Sequence, residues 1–467
     1  MRRSLIAAVA VTAIATPLAV VATSGSAGAA PVPHRTPVTD FNHDGYADLA
    51  VAAPGGTVDG KKNAGYISVV YGSAAGADTA TAKQISRATA GVPGAPEQDG
   101  GFGWRTTTGD LDGDGYTDLV VNNAPYDVVL WGSAHGLTGV SQLPGESGWD
   151  LKAGDFNGDG KTDLLANSRT GLETRFGPFT RDGKPASSKN LEQGDDGPGG
   201  IIVGDMTGDG IDDLVTSHGF EEMQYSSRLW KGTKEGFTGA STPTGKFTVD
   251  GVIADVDQDG YGDLVAREVD QVSEMQDYDA GAVRVVYGAK SGLSDRTKKI
   301  TQDTAGVPGV GEEGDWDLND YGDQFGYSIS AGDVTGDGYP DIAVGVPGED
   351  LGDAGDTGAI VLLKGGATGL TGTGAQAFNQ STAGVPGVSE GDDAFGTSVQ
   401  LSDVNNNNRA DLAVGAPRED GTLKDSGASW LLRGSKNGLV TTNITSFSPS
   451  SLGTAEEGAL FGGKFAR

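Results

Sequence analysis

Short apolar runs separated by turn-forming residues recur along the whole chain, and no segment keeps a helical period. Residues 325–382 show the grammar. FGYSISAG alternates like a strand, an acidic stretch turns the chain, and DIAVGVPG runs back. GAIVLLKG supplies a third strand and AQAFNQST a fourth. The third strand has seven copies: GYISVVYG, YDVVLWG, GLETRFG, SRLWKG, GAVRVVYG, GAIVLLKG and GASWLLRG. A four-stranded antiparallel sheet leaves two apolar faces, and radial stacking buries both. The pattern predicts an all-β chain folded as a seven-bladed β-propeller of four-stranded antiparallel blades. A linear solenoid is the rival, disfavoured because no unit reads as a polar cap.

The acidic stretch also recurs seven times, with oxygen-bearing side chains at positions 1, 3, 5 and 9. The first loop offers Asp40, Asn42, Asp44 and Asp48; the second, Asp110, Asp112, Asp114 and Asp118. The third has Asp155, Asn157, Asp159 and Asp163, and the fourth Asp205, Thr207, Asp209 and Asp213. Asp255, Asp257, Asp259 and Asp263 make the fifth; Asp333, Thr335, Asp337 and Asp341 the sixth. The seventh keeps only two carboxylates, Asp403 and Asp411, with Asn405 and Asn407 between them. Short oxygen ligands alternating along a tight turn can wrap one hard cation. Position 7 is expected to add a backbone carbonyl, from Tyr46, Tyr116, Lys161, Ile211, Tyr261 and Tyr339. Position 6, Gly or Asn408, must be left-handed. An EF-hand would need a helix next and an acid at position 12, but β-type residues follow at once. The expected ion is Ca2+, up to seven per chain, because flexible many-oxygen cages suit magnesium poorly. Carboxylate count ranks the second and fifth loops strongest and the seventh weakest. Each ion should relieve like-charge crowding and lock its hairpin, a structural role.

Net charge is −31, and 22 of the 64 acidic residues sit at these ligand positions. Such a chain is a poor partner for nucleic acid, which needs a basic face. The first 29 residues read as a secretory signal peptide: Arg2 and Arg3, an apolar stretch from Leu5 to Val21, then Ala27-Gly28-Ala29. No other run is long and apolar enough to span a membrane, and without cysteine there is no disulfide framework. The expectation is a secreted monomer with residues 30–467 forming one propeller.

A Phe-Gly pair stands eight residues ahead of the loop in units two, six and seven, at Phe102, Phe325 and Phe395. Unit one lacks such a strand, and Pro33 and Pro37 occupy its place. FGGKFAR, from Phe461, supplies a detached copy. Residues 461–466 are therefore expected to form the inner strand of blade one, pairing the N- and C-terminal segments. A frayed eighth blade is the alternative.

Phe-Gly, the DxDxDGxxD loop and Gly415-Ala416-Pro417 together resemble the FG-GAP repeat of integrin α-subunit propellers. Gly345-Val346-Pro347 and Ala52-Ala53-Pro54 are near copies of the last element. The resemblance is specific in units one, two, six and seven. Units three to five read ANS, TSH and ARE there, and only unit five keeps a Phe, Phe247. The resemblance implies an extracellular binding or adhesion-type module acting through a loop face, its ligand an unidentified protein or glycan. A lectin is the second reading and a secreted hydrolase or lyase the third. For catalysis only His218 with Glu221 and Glu222 presents itself; His34, His43 and His135 are scattered and no zinc spacing exists. Long loops opposite the cation turns carry Tyr225, Tyr278, Trp316 and Tyr321, suited to sugar faces or cationic anchors.

Overall fold

The computed structural model describes residues 39–122, 126–145, 148–168, 171–191, 198–220, 223–246, 248–269, 277–318 and 321–467. Residues 1–29, expected to be a signal peptide, lie outside them, as do Pro33, His34, Pro37, Phe247, Glu221 and Glu222 and 270–276 of one long loop.

Seven four-stranded antiparallel sheets form the blades of a seven-bladed β-propeller. Blade six, for example, runs Ile329–Gly332, Asp341–Val346, Ala359–Lys364 and Thr371–Phe378 from the axis outward. Its outer strand begins four residues earlier than AQAF suggested, because TGTG, not NQST, completes the pairing with the third strand. Second strands such as Leu49–Ala53 and Asp341–Val346 are buried at every position. Alternate side chains of one strand serve opposite neighbours: Leu49, Val51 and Ala53 pack toward blade seven, Ala50 toward blade two. Seven apolar clusters result, one in each seam between consecutive blades. Each fully buried Val, Leu or Phe contributes about 1.5–3 kcal/mol by leaving water. Outer strands meet solvent and are polar, as in Ser187–Leu191.

Closure occurs as the detached Phe-Gly copy implied. Lys464–Phe465 pairs antiparallel with the second strand of blade one, Val51 opposite Phe465 and Ala52 opposite Lys464. The Gly462 and Ala466 amides extend the ladder to the Ala52 and Ala50 carbonyls, each at 3.0 Å. These residues complete blade one and start no eighth.

Phe-Gly itself does something other than start a strand. Phe102, Phe325, Phe395 and Phe461 are fully buried, and strands begin only about three residues later. Each Phe amide donates to the previous blade, to Ala64, Ala280, Thr357 and Ser426 at 2.9–3.2 Å. The next residue there is always glycine: Gly65, Gly281, Gly358 or Gly427. A Cβ on any of them would sit 2.1–2.3 Å from the Phe backbone. The third strands of blades one, five, six and seven, each followed by a Phe-Gly blade, open on Gly for this reason; Gly171 also opens the third strand of blade three but faces open space.

Candidate metal centres on one rim

The seven acidic turns enter the second strands at one end of the ring. Position 6 is left-handed in all of them, from Gly45 (φ 89°) to Asn408 (φ 62°). So is position 4, occupied by His43, Gly113, Gly158, Gly208, Gln258, Gly336 and Asn406. Two left-handed residues flanking position 5 curl the backbone around the carboxylate at position 1. In the second loop Asp110 Oδ1 accepts the amides of Gly113 (2.9 Å) and Asp114 (3.1 Å), and Oδ2 accepts that of Gly115 (2.9 Å). Asp114 Oδ1 then accepts the Tyr116 amide at 3.1 Å. In the seventh loop Asn407 Oδ1 replaces the latter carboxylate, accepting from the Arg409 amide at 2.9 Å. Turn shape therefore survives loss of charge.

Position 9 has a second task. Asp118 is fully buried; its Oδ2 accepts the Leu111 amide at 2.9 Å, and its Oδ1 that of Gly132 at 2.7 Å. Equivalent bonds tie Asp48, Asp163, Asp213, Asp263, Asp341 and Asp411 to Gly72, Gly177, Gly232, Gly288, Gly365 and Gly434. Those glycines end the seven third strands. A Cβ on any of them would meet the carbonyl of position 8 at 2.2–2.4 Å. The recurring terminal Gly marked this contact in the sequence; its reason lies across the blade. Burial pushes Asp48, Asp118, Asp163 and Asp213 up to about 7, against the pull of the two amides. Asp263 reaches about 8, and Asp341 and Asp411 about 6.

Among the described residues, three carboxylates converge within 4.8 Å in two loops: Asp110, Asp112 and Asp114, and Asp255, Asp257 and Asp263. These are the loops with four acids. The position-3 atoms Asp257 Oδ1, Thr335 Oγ1 and Asn405 Oδ1 are buried without a hydrogen-bond partner. Converging carboxylates and orphaned inward oxygens fit a hard cation. The two four-acid loops also carry a guanidinium. Arg181 pairs with Asp112 and Asp114 while lying 5.0 Å from the Trp131 ring centre. Arg296 pairs with Asp257 and stacks 3.5 Å from the centre of Tyr287. In the seventh loop Arg433 enters the core and binds Asp411 Oδ2 at 3.1 Å. Neighbouring loops touch: the Thr117, Asp212, Gly262, Ala410 and Ala47 amides each donate to the position-1 carbonyl of the preceding loop, at 2.8–3.1 Å.

The opposite rim surrounds a central cavity of about 510 Å3 lined by Trp104, Tyr321, Tyr327, Asp277, Arg418 and Arg467, among others. Trp104 is half exposed. Beside the cavity, Tyr278 meets Trp316 edge-on (ring centres 5.1 Å apart) and Tyr321 at a tilt (5.4 Å), so the aromatic loop residues form a cluster. Tyr225 stays exposed. His218 Nε2 lies 2.8 Å from Thr216 Oγ1, which also accepts the Trp230 indole N–H, an arrangement that holds a strand.

Fold and loops together define a seven-bladed propeller with acidic inter-strand turns on one rim. The FG-GAP repeat family matches residues 33–70, 325–363 and 395–432, and an FG-GAP-like repeat matches 110–166. The chain is an FG-GAP repeat protein with an integrin-α-like β-propeller. It is 36% identical to integrin alpha-PS5 of Drosophila melanogaster over 25% of this chain and 10% of that protein. It is 27% identical to the phosphatidylinositol-glycan-specific phospholipase D of Bos taurus, over 37% of this chain and 19% of that one. The chain thus spans less than a fifth of either relative. Among solved structures, an Agrocybe aegerita lectin recognising terminal N-acetylglucosamine aligns with a TM-score of 0.41 and 15% identity, covering 72% of this chain and 80% of that one. No helix among the described residues is long and apolar enough to cross a membrane.

Proposed function

We propose that this chain is a secreted, calcium-binding propeller that serves as an extracellular binding or adhesion-type module. The observation that carries this is the division of labour between the rims. One rim holds converging oxygen ligands, tied into hairpins and to one another. The other holds a cavity edged by half-exposed Trp104 and Tyr327, with charged groups of both signs. Ions in the turns stiffen the frame, and the cavity rim meets the ligand. Metal occupancy is expected at the loops opened by Asp40, Asp110, Asp155, Asp205, Asp255 and Asp333. Arg433 already neutralises Asp411, which supports a weak or vacant seventh loop. The integrin relatives support an adhesion-type role. Aromatic rings beside carboxylates also suit a sugar face, the basis of a lectin reading.

The test is a thermal melt of the mature protein in calcium and in chelator with metal counting, followed by binding to glycan arrays and immobilised matrix proteins. Calcium-raised melting temperature and saturable binding lost in Trp104→Ala are expected. Equal melts without bound calcium overturn the metal role. Binding indifferent to Trp104 overturns the rim assignment.

A further inference from the structure

The sequence repeats a second element that the loops do not use. Gln302 and Gln380 each open the stretch Gln-x-Thr-Ala-Gly-Val-Pro-Gly after an outer strand. An aspartate, Asp323 or Asp393, stands two residues ahead of the next Phe-Gly. A glutamate, Glu349 or Glu419, lies two residues beyond the following Pro. Far apart along the chain, these residues meet in the seams between blades five and six and between six and seven, at the rim opposite the acidic turns.

Both seams hold the same set, with the aspartate and glutamine buried and the glutamate half-buried. Asp323 and Asp393 are 2% exposed, Gln302 3% and Gln380 1%. Gln302 Nε2 donates to Glu349 Oε2 at 2.5 Å, and Gln380 Nε2 contacts Glu419 Oε2. Asp323 Oδ2 accepts the Glu312 amide at 2.8 Å, and Asp393 Oδ2 that of Glu390 at 2.7 Å. No lysine or arginine is ion-paired with these four carboxylates among the described residues. In both seams the glutamine Oε1 is buried with no hydrogen-bond partner. One buried and one half-buried carboxylate beside an unused amide oxygen crowd negative charge that no side-chain cation of the described residues offsets.

A third copy shows how the chain behaves when it supplies the charge itself. At the seam of blades one and two the repeat reads Arg87-Ala88-Thr89-Ala90-Gly91-Val92-Pro93-Gly94. Arg87 stands where the glutamine stood, Gly100 where the aspartate stood, and the buried Asp127, two residues beyond Pro125, where the glutamate stood. The guanidinium reaches the Pro93 and Tyr126 carbonyls. A fixed cation thus goes with a seam that holds one of the two carboxylates, and a neutral amide with a seam that holds both.

We propose that these two seams are a second class of divalent-cation site. Asp323, Glu349 and Gln302 hold one calcium ion, and Asp393, Glu419 and Gln380 the other. Each ion pins the Phe-Gly entry of one blade to the second-to-third-strand loop of that blade and to the outer-strand exit of its neighbour. The sites brace the cavity rim, independently of the acidic turns.

Terbium, a luminescent calcium substitute, reads the seam of blades six and seven directly. A Cβ on Gly387 would lie 3.4 Å from Gln380 Nε2 and 3.7 Å from the Trp430 ring, so that tryptophan borders the site. In the mature wild-type protein, tryptophan-excited terbium emission should include a component lost in Trp430→Phe and in Asp393→Asn/Glu419→Gln. Calcium counting should fall by one ion in that double variant and by one in Asp323→Asn/Glu349→Gln. Gln380→Arg, which copies the Arg87 arrangement, should expel one ion and remain folded in chelator. Unchanged counts and emission in these variants overturn the proposal. If a double variant does not fold, Gln380→Arg decides: an unchanged count means the seam holds only a shared proton or water. Ions that persist after substitution of Asp40, Asp110, Asp155, Asp205, Asp255, Asp333 and Asp403 support the seams even where the turns prove empty.

Discussion

Asp118 Oδ1 accepts the amide of Gly132 at 2.7 Å, joining the end of an acidic turn to the end of the third strand of its blade. The other carboxylate oxygen closes the turn itself, so one buried side chain links turn, second strand and third strand. Position 9 therefore carries a structural role that the other ligand positions lack. Asp118→Asn leaves an amide facing an N–H and is expected to destabilise by about 1–3 kcal/mol even in chelator. Asp112→Asn removes one of three crowded carboxylates and should lower calcium affinity without lowering stability in chelator. Urea titrations in both media distinguish the two.

Gly72→Ala is expected to cost about 1–3 kcal/mol, since its Cβ would lie 2.4 Å from the Ala47 carbonyl oxygen and the backbone must shift. Gly239→Ala, with open space around it, is the matched control and should be neutral within error. Denaturation midpoints check both.

Arg433 is a built-in counterion. Arg433→Met strands Asp411 in the core and is expected to destabilise by about 3–5 kcal/mol in chelator. Added calcium should recover part of that loss in the variant, beyond its effect on the wild type. Melting curves across a calcium series measure the difference.

The buried position-9 aspartates also set a pH response. Their folded values, about 6 to 8, exceed the ordinary carboxylate value of 3.8, so the folded state holds protons that the unfolded chain has released. Their contribution is complete below 3.8 and is lost as pH rises through the folded values. In chelator the melting temperature should fall between about pH 5 and pH 8. Saturating calcium, which favours the ionised carboxylates, should flatten that slope.

Phe461→Ala empties a fully buried site at the seam of blades seven and one, with an expected loss of about 3–5 kcal/mol. The seam should also become the first region to exchange amide hydrogen, detectable by mass spectrometry of peptides covering residues 49–53 and 461–467.

Fold and turns were legible because their signals are local. A nine-residue turn carries its own ligands, left-handed positions and following strand, and seven copies leave little freedom in topology. Residues 461–466 were readable as the inner strand of blade one because Phe461-Gly462 copies a pattern seen elsewhere. Contacts that couple distant segments were not legible. Gly72 looks like any turn glycine until Ala47 lies against it. Gln380 and Glu419 are nearly forty positions apart, and neither alone announces a ligand. Phe102 was read as a strand start because its actual partner, Ala64, belongs to another blade.

The two-residue pairing of Val51 and Ala52 with Phe465 and Lys464 sets an order of events. Residues through 465 must emerge before the first sheet is whole, so a shorter nascent copy keeps an open β edge and a bare apolar flank. Such a molecule stays vulnerable to self-association until Lys464 and Phe465 arrive. Folding helpers that shield the edge of the first sheet would have more effect on yield than any that act on later ones.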